Sequence, residues 1–270
     1  MQGTKVVSIS KSSIKDRRVY FPSERKEQES IADFFSHLNS LLTLHQRKYE
    51  KLLNIKKSML EKMFPKEGEV VPEIRFKGFT GAWEQRKAEE LASFSKGAGY
   101  SKSDLKESGT PIILYGRLYT KYQLVINHVD TFTTPKENSV FSEGNEVIVP
   151  ASGETAEDIA IASAVEQKGV LLGGDLNILH PSAKMSPTFM ALTISNGKAR
   201  KDLAKKAQGK SVVHIHNSDI KQLDICYPSK KEQDDISKFF QDIDGHLTLH
   251  QRKLEMLKNV KQAFLEKMFV

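Results

Sequence analysis

The chain has 270 residues, of which 39% are hydrophobic and 28% charged, a balance typical of a soluble globular protein with one large or two small domains. Its formal net charge of +7 suits a polyanionic partner, and is equally compatible with simple solubility. The single cysteine, Cys226, excludes an intrachain disulfide. With neither a signal-peptide pattern nor an apolar run of about 18 residues, we expect a cytoplasmic protein without a membrane partner.

An internal repeat brackets the sequence. The segment LTLHQRK at Leu42–Lys48 recurs 205 residues later at Leu247–Lys253. With a slip of one residue, Gln2–Ser10 also resembles Gln208–His216. Further identities at the first offset join 27–28 to 232–233, 31 to 236, 34–35 to 239–240, 56 to 261, and 61–64 to 266–269. A unique middle therefore lies between two copies of one cassette.

Each cassette ends in a long amphipathic pattern, which predicts helices over 23–65 and 228–270. In the first copy Ser23 is a suitable N-cap, and apolar residues recur at helical spacing from Ile31 to Met63. A helix of about 40 residues is roughly 60 Å long and extends beyond a single domain core. We therefore expect the two helices to pair with each other; two unrelated surface helices are the alternative.

Between the helices, the sequence predicts a connector over 66–80 and a compact domain over 81–227. Trp83 opens a short helical stretch through Leu91 and is expected in the domain core rather than against a base. A further helix is predicted near 190–199. Short apolar and β-branched runs predict strands at 111–115, 146–149, 159–162, 169–172 and 211–215. Together these elements indicate an α+β fold.

Several segments resemble the specificity subunits of type I restriction–modification systems. They are PEIRFKGFTGAWEQRK at Pro72–Lys87, the run Glu146–Thr155, GGDLNILHP at Gly173–Pro181, and the cassette PSKKEQDDISKFF that begins at Pro228. The resemblance implies an α+β target-recognition domain with a twisted β-sheet, and two long helices that pair as an antiparallel coiled coil. It implies that the recognition domain reads half of a bipartite DNA sequence. The helices would space the half-sites and dock methyltransferase subunits.

The family pattern has two recognition domains, whereas this chain carries one. Residues 1–22 resemble the last strands of a preceding recognition domain whose body is missing. Two copies of such a half-subunit would read an interrupted palindrome, because identical domains related by a two-fold axis read identical half-sites. The alternative is a truncated interaction protein that binds the methyltransferase subunit without reading DNA, or serves as a reservoir for recombination.

Candidate DNA-contacting residues lie in three loops. The first offers an arginine for a guanine edge, a hydroxyl and a lysine for phosphates, and framing tyrosines, at Tyr115, Arg117, Tyr119, Thr120, Lys121 and Tyr122. The second carries Ser152, Glu154 and Thr155, and the Glu154 carboxylate can accept a hydrogen bond from cytosine. In the third, Lys210 and Ser211 follow Gly209 in an arrangement suited to a phosphate. These loops, and the basic stretch over 198–206, are also explained as solvated surface.

Histidines do not predict a metal site. His214 and His216 share one face of a predicted strand, but serines replace both in the first cassette and no cysteine cluster lies near. His45 and His250 recur in both cassettes and are better explained as a docking position. The helix residues expected at a subunit interface are Phe35, Leu42, His45, Arg47, Phe240, Leu247, His250 and Arg252.

Catalytic motifs are missing from the sequence. It contains no Asn/Asp-Pro-Pro-Tyr/Phe box of an amino methyltransferase and no complete phosphate loop. We therefore predict a chain that is not an enzyme and binds no cofactor directly; a compact enzyme of another type is the weakest alternative. The resemblance implies a methyltransferase partner that uses S-adenosylmethionine and a restriction subunit, motor and nuclease, that uses ATP and Mg²⁺. Double-stranded DNA and a second copy of the chain complete the expected partners.

Overall fold

The computed structural model describes residues 15, 18, 20–209 and 212–268. The chain divides into a helical unit, with bounds 1–51 and 248–270, and a globular unit over 52–247. Most of the predicted tail over 1–22, together with Lys210 and Ser211, lies outside the described residues. Within the described ranges, no helix is both long and apolar enough to cross a membrane.

The described chain begins and ends with long helices, and short helices and strands alternate between them. In chain order the elements are α1 (Arg25–Lys62), β1 (Glu84–Lys87), α2 (Ala88–Leu91), β2 (Ala92–Lys96), a 3₁₀ turn (Lys102–Asp104), β3 (Thr110–Ile113), α3 (Arg117–Thr120), β4 (Val125–Ile126), β5 (Phe132–Thr133), β6 (Glu146–Pro150), β7 (Ser152–Gly153), α4 (Ala156–Ile159), β8 (Ser163–Val165), β9 (Leu171–Leu172), β10 (Leu176–Pro181), α5 (Pro187–Ile194), α6 (Gly197–Lys206), β11 (Val213–His214), α7 (Asn217–Lys221), β12 (Asp224–Tyr227) and α8 (Lys230–Met268). This mixture of helices and strands is the predicted α+β class.

The helical unit consists of the first part of α1 and the last part of α8, which run antiparallel. Ring centroids of Phe34 and Phe264 lie 4.8 Å apart. Further along α1, the Nδ1 atom of His45 lies 2.9 Å from Nδ1 of His250. Residues later in α1 thus contact residues earlier in α8, so the two helices are antiparallel. This is the predicted pairing of the two repeated helices.

The globular unit is built around a five-stranded sheet with the order β2-β10-β6-β8-β4. β10 is antiparallel to both of its neighbours, and β4 runs parallel to β8. All residues of β6 are buried, which explains its apolar run Val147–Pro150, and the buried Glu146 carboxylate accepts hydrogen bonds from the backbone N–H groups of residues 143–145. Smaller sheets are formed by β5-β3-β9, by β1 with β12, and by β11 with β7.

Aromatic packing joins the ends of both long helices to the core of the globular unit. Trp83 is 3% exposed and its ring lies 6.0 Å from Phe64 and 5.7 Å from Phe189, centroid to centroid. Phe64 also lies 6.3 Å from Phe240, which is fully buried. Trp83 therefore has the predicted core position. The expectation that Phe240 meets a partner subunit does not fit this environment, because the globular unit already covers the side chain.

The first turns of α8 are also buried in the globular unit. Glu232 is 0% exposed, and its carboxylate accepts two hydrogen bonds from Arg75, Nε to Oε1 at 2.6 Å and Nη2 to Oε2 at 2.7 Å. The equally buried Gln233 accepts from the Ser186 N–H through Oε1 and donates Nε2 to the Pro228 carbonyl. Glu232 and Gln233, in the first turn of the second long helix, are therefore part of the core of the globular unit.

Some predicted elements differ from the structure. Residues 159–162 do not form a strand: Thr155 caps α4, its hydroxyl oxygen accepting the Asp158 N–H at 3.1 Å, so that Ile159 ends a helical turn and β8 begins only at Ser163. β2, β10 and β12, which contribute to two sheets, were not predicted as strands. The long helices begin at Arg25 and Lys230, two residues after the predicted starts.

Candidate nucleic-acid interface

One edge of the globular unit gathers the loops that carry most of the predicted DNA-contacting residues. The Gly97 N–H donates to the Leu176 carbonyl, and the Ala151 N–H donates to the Asp175 carbonyl. The Gly173 N–H donates to the carbonyl of Ile113, where β3 ends. These bonds bring together the loops 97–101, 114–122, 151–155 and 173–175, which together with β11 we call the loop edge. Chain segments distant in sequence therefore share one surface.

The loop edge includes one backbone crossing that only glycine permits. A Cβ atom on Gly97 would lie 1.9 Å from the Gly173 carbonyl oxygen, a distance that real atoms do not adopt. The neighbouring Gly99 and Gly116 face open space. The sequence patterns did not predict the segment Gly97–Gly99 as part of the site. Its two glycines were the signal for a close backbone approach.

Tyrosine and serine side chains tie three parts of the loop edge together. The Tyr119 hydroxyl donates to the Ser152 carbonyl, and burial raises the pKa of that hydroxyl. The Ser152 hydroxyl lies 3.1 Å from Nδ1 of His214 on β11. Tyr115 packs edge-on against Tyr119 with ring centroids 6.0 Å apart, and its own ring is partly exposed. Among these predicted residues, Tyr119 and Ser152 therefore hold the surface together, whereas Tyr115 is accessible.

Arg117 has a different environment from the one expected of a base-reading arginine. Its side chain is 8% exposed, and Nη1 pairs with Asp130 Oδ1 at 2.5 Å. Its Nη2 donates to Gln123 Oε1 and to the His128 carbonyl, both at 3.1 Å. Lys121 also binds the Asp130 carboxylate, and the hydrogen bonds from Lys121 and then Arg117 lower the pKa of Asp130. The expectation that Arg117 takes a guanine edge does not fit, because its guanidinium is already engaged.

The remaining predicted DNA residues are divided between local bonds and open surface. The Thr120 hydroxyl donates to the Gly116 carbonyl, and the Tyr122 hydroxyl donates to the Ala162 carbonyl. Thr155 caps α4, whereas Glu154 is exposed beside it. Tyr122 as a whole residue is 42% exposed.

A basic helix adjoins the loop edge. α6 ends two residues before Gln208, whose N–H donates to the His214 carbonyl on β11. Lys198 of α6 pairs with Asp202, and the hydrogen bond to Asp202 raises the pKa of Lys198. Lys201 is exposed, and no ion pair involves it among the described residues. Lys201 is therefore a cation without an ion pair, among the described residues, on a helix that leads to β11.

Metal coordination has no support in the described ranges, where no group of at least three His, Cys, Asp or Glu side chains comes together. His214 is exposed but contacts Ser152, as described above.

Six of the residues predicted at a subunit interface lie in the helical unit. Phe35, Leu42, His45 and His250 are partly buried there, whereas Arg47 and Arg252 are exposed. An open groove runs along α1 and is lined by Ala32, Phe35, Ser36, Asn39, Ser40, Thr43, Leu44 and Arg47. Leu247, at the end of the globular unit, is 8% exposed.

Comparisons with known proteins agree with this architecture. The chain is 19% identical over 275 residues to the type I restriction enzyme MjaVIII specificity subunit of Methanocaldococcus jannaschii, covering 98% of this chain and 64% of that protein. The HsdS subunit from Thermoanaerobacter tengcongensis matches with a TM-score of 0.57 and 14% identity, covering 100% of this chain and 64% of that one. The type I restriction–modification S subunit from M. genitalium matches with a TM-score of 0.57 and 16% identity, covering 99% and 67%.

At these identities the solved structures show a shared fold, and this chain spans about 64% of the length of the curated relative. A family match covers most of the chain: residues 81–259 correspond to the type I restriction modification DNA specificity domain. That range includes the recognition domain, with its loop edge, and the first thirty residues of α8. The chain therefore belongs to the type I restriction–modification DNA specificity family.

Proposed function

We propose that this chain reads one half-site of double-stranded DNA through the loop edge, as the specificity subunit of a type I restriction–modification complex. The observation that carries the proposal is the convergence of exposed tyrosines, a carboxylate and nearby lysines on one surface of the recognition domain. Base edges are read by donors, acceptors and apolar contacts, and phosphates by cations, so that such a surface supplies both kinds of contact.

Individual contacts follow from what is accessible. Tyr115 and Tyr122 present aromatic surface to the DNA, and Glu154 offers an acceptor for a cytosine amino group. Lys201 on α6 offers a cation to the phosphate backbone, and Lys121 offers another when it leaves Asp130. Lys210 and Ser211 stay in the proposed contact set because they directly follow Gly209 in the sequence, an arrangement suited to a phosphate.

A second copy of the chain completes the proposed reading unit. This chain covers 64% of the curated relative's length, and the cassette that flanks the recognition domain occurs twice in this chain. Two copies related by a two-fold axis would present two identical loop edges, and the long helices would set their separation. The predicted target is an interrupted palindrome.

The partner subunits supply the chemistry in this proposal. The groove along α1, with Phe35, Leu44 and Arg47, offers the helical surface for a methyltransferase subunit that uses S-adenosylmethionine. A restriction subunit that uses ATP and Mg²⁺ would join that assembly. The chain itself contributes sequence choice and spacing, and it performs no catalytic step.

The test is methylation mapping of DNA from cells that contain only this chain and its cognate methyltransferase subunit. Methylation at an interrupted palindrome is the expected result, because the two-fold pairing duplicates one half-site. Cells with the methyltransferase subunit alone are the control and should lack the mark. Absence of methylation, in cells where the two proteins purify together, would favour the truncated interaction protein.

A further inference from the structure

We propose that Arg117 is a positioning residue for DNA reading: it fixes the turn that presents Tyr115 and Lys121, and it does not contact the bases. This inference rests on the proposed function of the loop edge. The ion pair between Arg117 and Asp130 would then influence which DNA sequence is chosen, although neither side chain touches the DNA.

The turn that follows β3 has little stability of its own. α3 is a single helical turn of four residues, and its N-cap, Gly116, makes no side-chain capping bond. Forming one helical turn restricts several backbone dihedral angles and gains only one backbone hydrogen bond. Such a turn therefore needs tertiary contacts to be stable. Arg117 is its first residue and supplies those contacts from a nearly buried side chain.

Arg117 ties this turn to the segment 123–130 that follows it. Its guanidinium reaches Gln123, His128 and Asp130, so that one side chain spans both ends of that segment. Asp130 in turn binds Lys121, the residue after α3. A single carboxylate therefore holds both ends of the short helix, and the pair orients the residues on either side of it.

The same geometry argues against a base contact by Arg117. A bidentate contact to guanine uses two guanidinium nitrogens, and both Nη atoms are already bonded within the domain. Turning the side chain outward would break its partly buried hydrogen bonds to Gln123 Oε1 and to the His128 carbonyl, together with the ion pair to Asp130. Nε is buried and makes no hydrogen bond, so it too is withdrawn from solvent.

A displaced turn would alter the second loop as well. Tyr119 lies within α3, and its hydroxyl binds the Ser152 carbonyl on β7. Ser152 is in turn bonded to His214 on β11. Removing Arg117 is therefore expected to shift the loop beside Glu154 along with the turn itself, and the loss of base preference should extend over several positions of the half-site.

The experiment compares Arg117→Ala, Asp130→Ala and the double variant in complexes of the full chain with its methyltransferase subunit. Each is used to select from a pool of duplex DNA with randomised half-sites, and affinity for a fixed random-sequence duplex is measured in the same salt. We expect each single variant to lose roughly tenfold or more of its preference for the wild-type site, at several base positions. The double variant should lose no more than either single variant, because both substitutions remove the same ion pair between the turn and Asp130, which we call the tether.

The matched control is Arg75→Ala, which removes a comparably buried arginine from the pair with Glu232, away from the loop edge. It should lower the melting temperature and keep the base preference. Arg117→Lys retains the positive charge but cannot contact Gln123, His128 and Asp130 together. It should therefore lose base preference to the same extent as Asp130→Ala. Asp130 is 47% exposed in its side chain, so Asp130→Ala is expected to fold even if Arg117→Ala does not.

Three outcomes would overturn the inference. A loss confined to one base position in Arg117→Ala, with Asp130→Ala unchanged, would make Arg117 a direct reader. Additive losses in the double variant would make the two residues independent. Lower melting temperatures with unaltered base preference would leave the pair a purely structural one.

Amide hydrogen exchange without DNA separates this inference from the proposed function. Exchange over 115–121 should be faster in Asp130→Ala than in the wild-type chain, and unchanged in Arg75→Ala. If the turn loosens but the wild-type complex selects no sequence, then the proposed DNA reading has failed while the tether stands. Unaltered exchange in Asp130→Ala would contradict the tether itself.

Discussion

At the residue scale, the repeat gives the same side chains two different environments. Glu232 opens α8, has no exposed surface and binds Arg75 with both carboxylate oxygens. Its counterpart Glu27 is exposed in the first turn of α1. The adjacent glutamines keep a common local bond, because Gln28 donates to the Pro22 carbonyl as Gln233 does to that of Pro228. Local structure thus follows the sequence, whereas burial depends on the domain packed against it.

Replacing the buried member of this repeated pair should destabilise the globular unit. Glu232→Gln leaves the Arg75 guanidinium, whose side chain is only 13% exposed, without its anion, and we expect a loss of about 3 kcal/mol in the free energy of unfolding. Urea denaturation followed by tryptophan fluorescence, which reports on Trp83, is the measurement.

Glu27→Gln is the matched control for that change. Its side chain is exposed, so the expected difference stays within about 0.5 kcal/mol of the wild-type chain. Equal effects of the two substitutions would contradict the assignment of Glu232 to the domain core.

Burial also protects the single cysteine. Cys226 lies on β12 with its side chain partly buried, and burial raises the pKa of its thiol to about 11. Only the thiolate reacts with alkylating reagents, and at pH 8 its fraction in the folded chain should be roughly a hundredfold below that of the unfolded chain. The raised pKa means that the rate of iodoacetamide modification should climb steadily as the pH increases toward 11. A folded chain that reacts at pH 8 as fast as the denatured one would contradict this burial.

At the element scale, the pairing of α1 with α8 brings the repeat into contact with itself. His45 and His250 occupy equivalent positions in the two cassettes, and their Nδ1 atoms are 2.9 Å apart. A hydrogen bond between two Nδ1 atoms needs one donor and one acceptor, so that only one of the two carries a proton. Two further interhelical hydrogen bonds join counterpart residues of the repeat. Lys56 donates to Asp244 in the globular unit, and Lys261 donates to Asn39 in the helical unit. Antiparallel pairing of two similar helices explains why equivalent side chains meet.

The apolar side of α8 should carry the stability of the helical unit. Leu254 is 4% exposed, whereas Leu249, on the same helix, is 46% exposed. Leu254→Ala removes buried apolar surface and should cost about 2 kcal/mol, and Leu249→Ala should be nearly neutral. Hydrogen exchange of residues 248–268 reports on this unit directly. Equal protection in the two variants would mean that the observed stripe does not hold the helices together.

At the scale of the whole molecule, a two-fold arrangement of two chains remains the proposal with the most direct physical test. Two versions of the chain with different affinity tags are produced together with the methyltransferase subunit. Purification through one tag should recover the other, because two copies are needed to present two half-site readers. The versions produced separately and mixed after lysis serve as the exchange control. Recovery of a single tag from an assembled complex would contradict the pairing.

The sequence by itself determined the repeated helices, the α+β unit between them and the family. Each of these depends on patterns along the chain: the recurrence of LTLHQRK, apolar residues at helical spacing, and the segment around Trp83. Such patterns survive without knowledge of the fold because helical periodicity and repeated identities are local properties. The pairing of the two helices also followed, since one long apolar stripe needs another to cover it.

Only the tertiary structure decided which predicted residues face outward. The sequence predicts Arg117 as a DNA contact, but its guanidinium is paired with Asp130, thirteen residues further along the chain. Phe240 looks like an interface residue, yet Phe64 and the recognition domain cover it. Burial is set by contacts between residues remote in sequence, and no local pattern contains that information. The same long-range contacts, such as those of Gly97 with Gly173 and of Tyr119 with Ser152, assemble the loop edge.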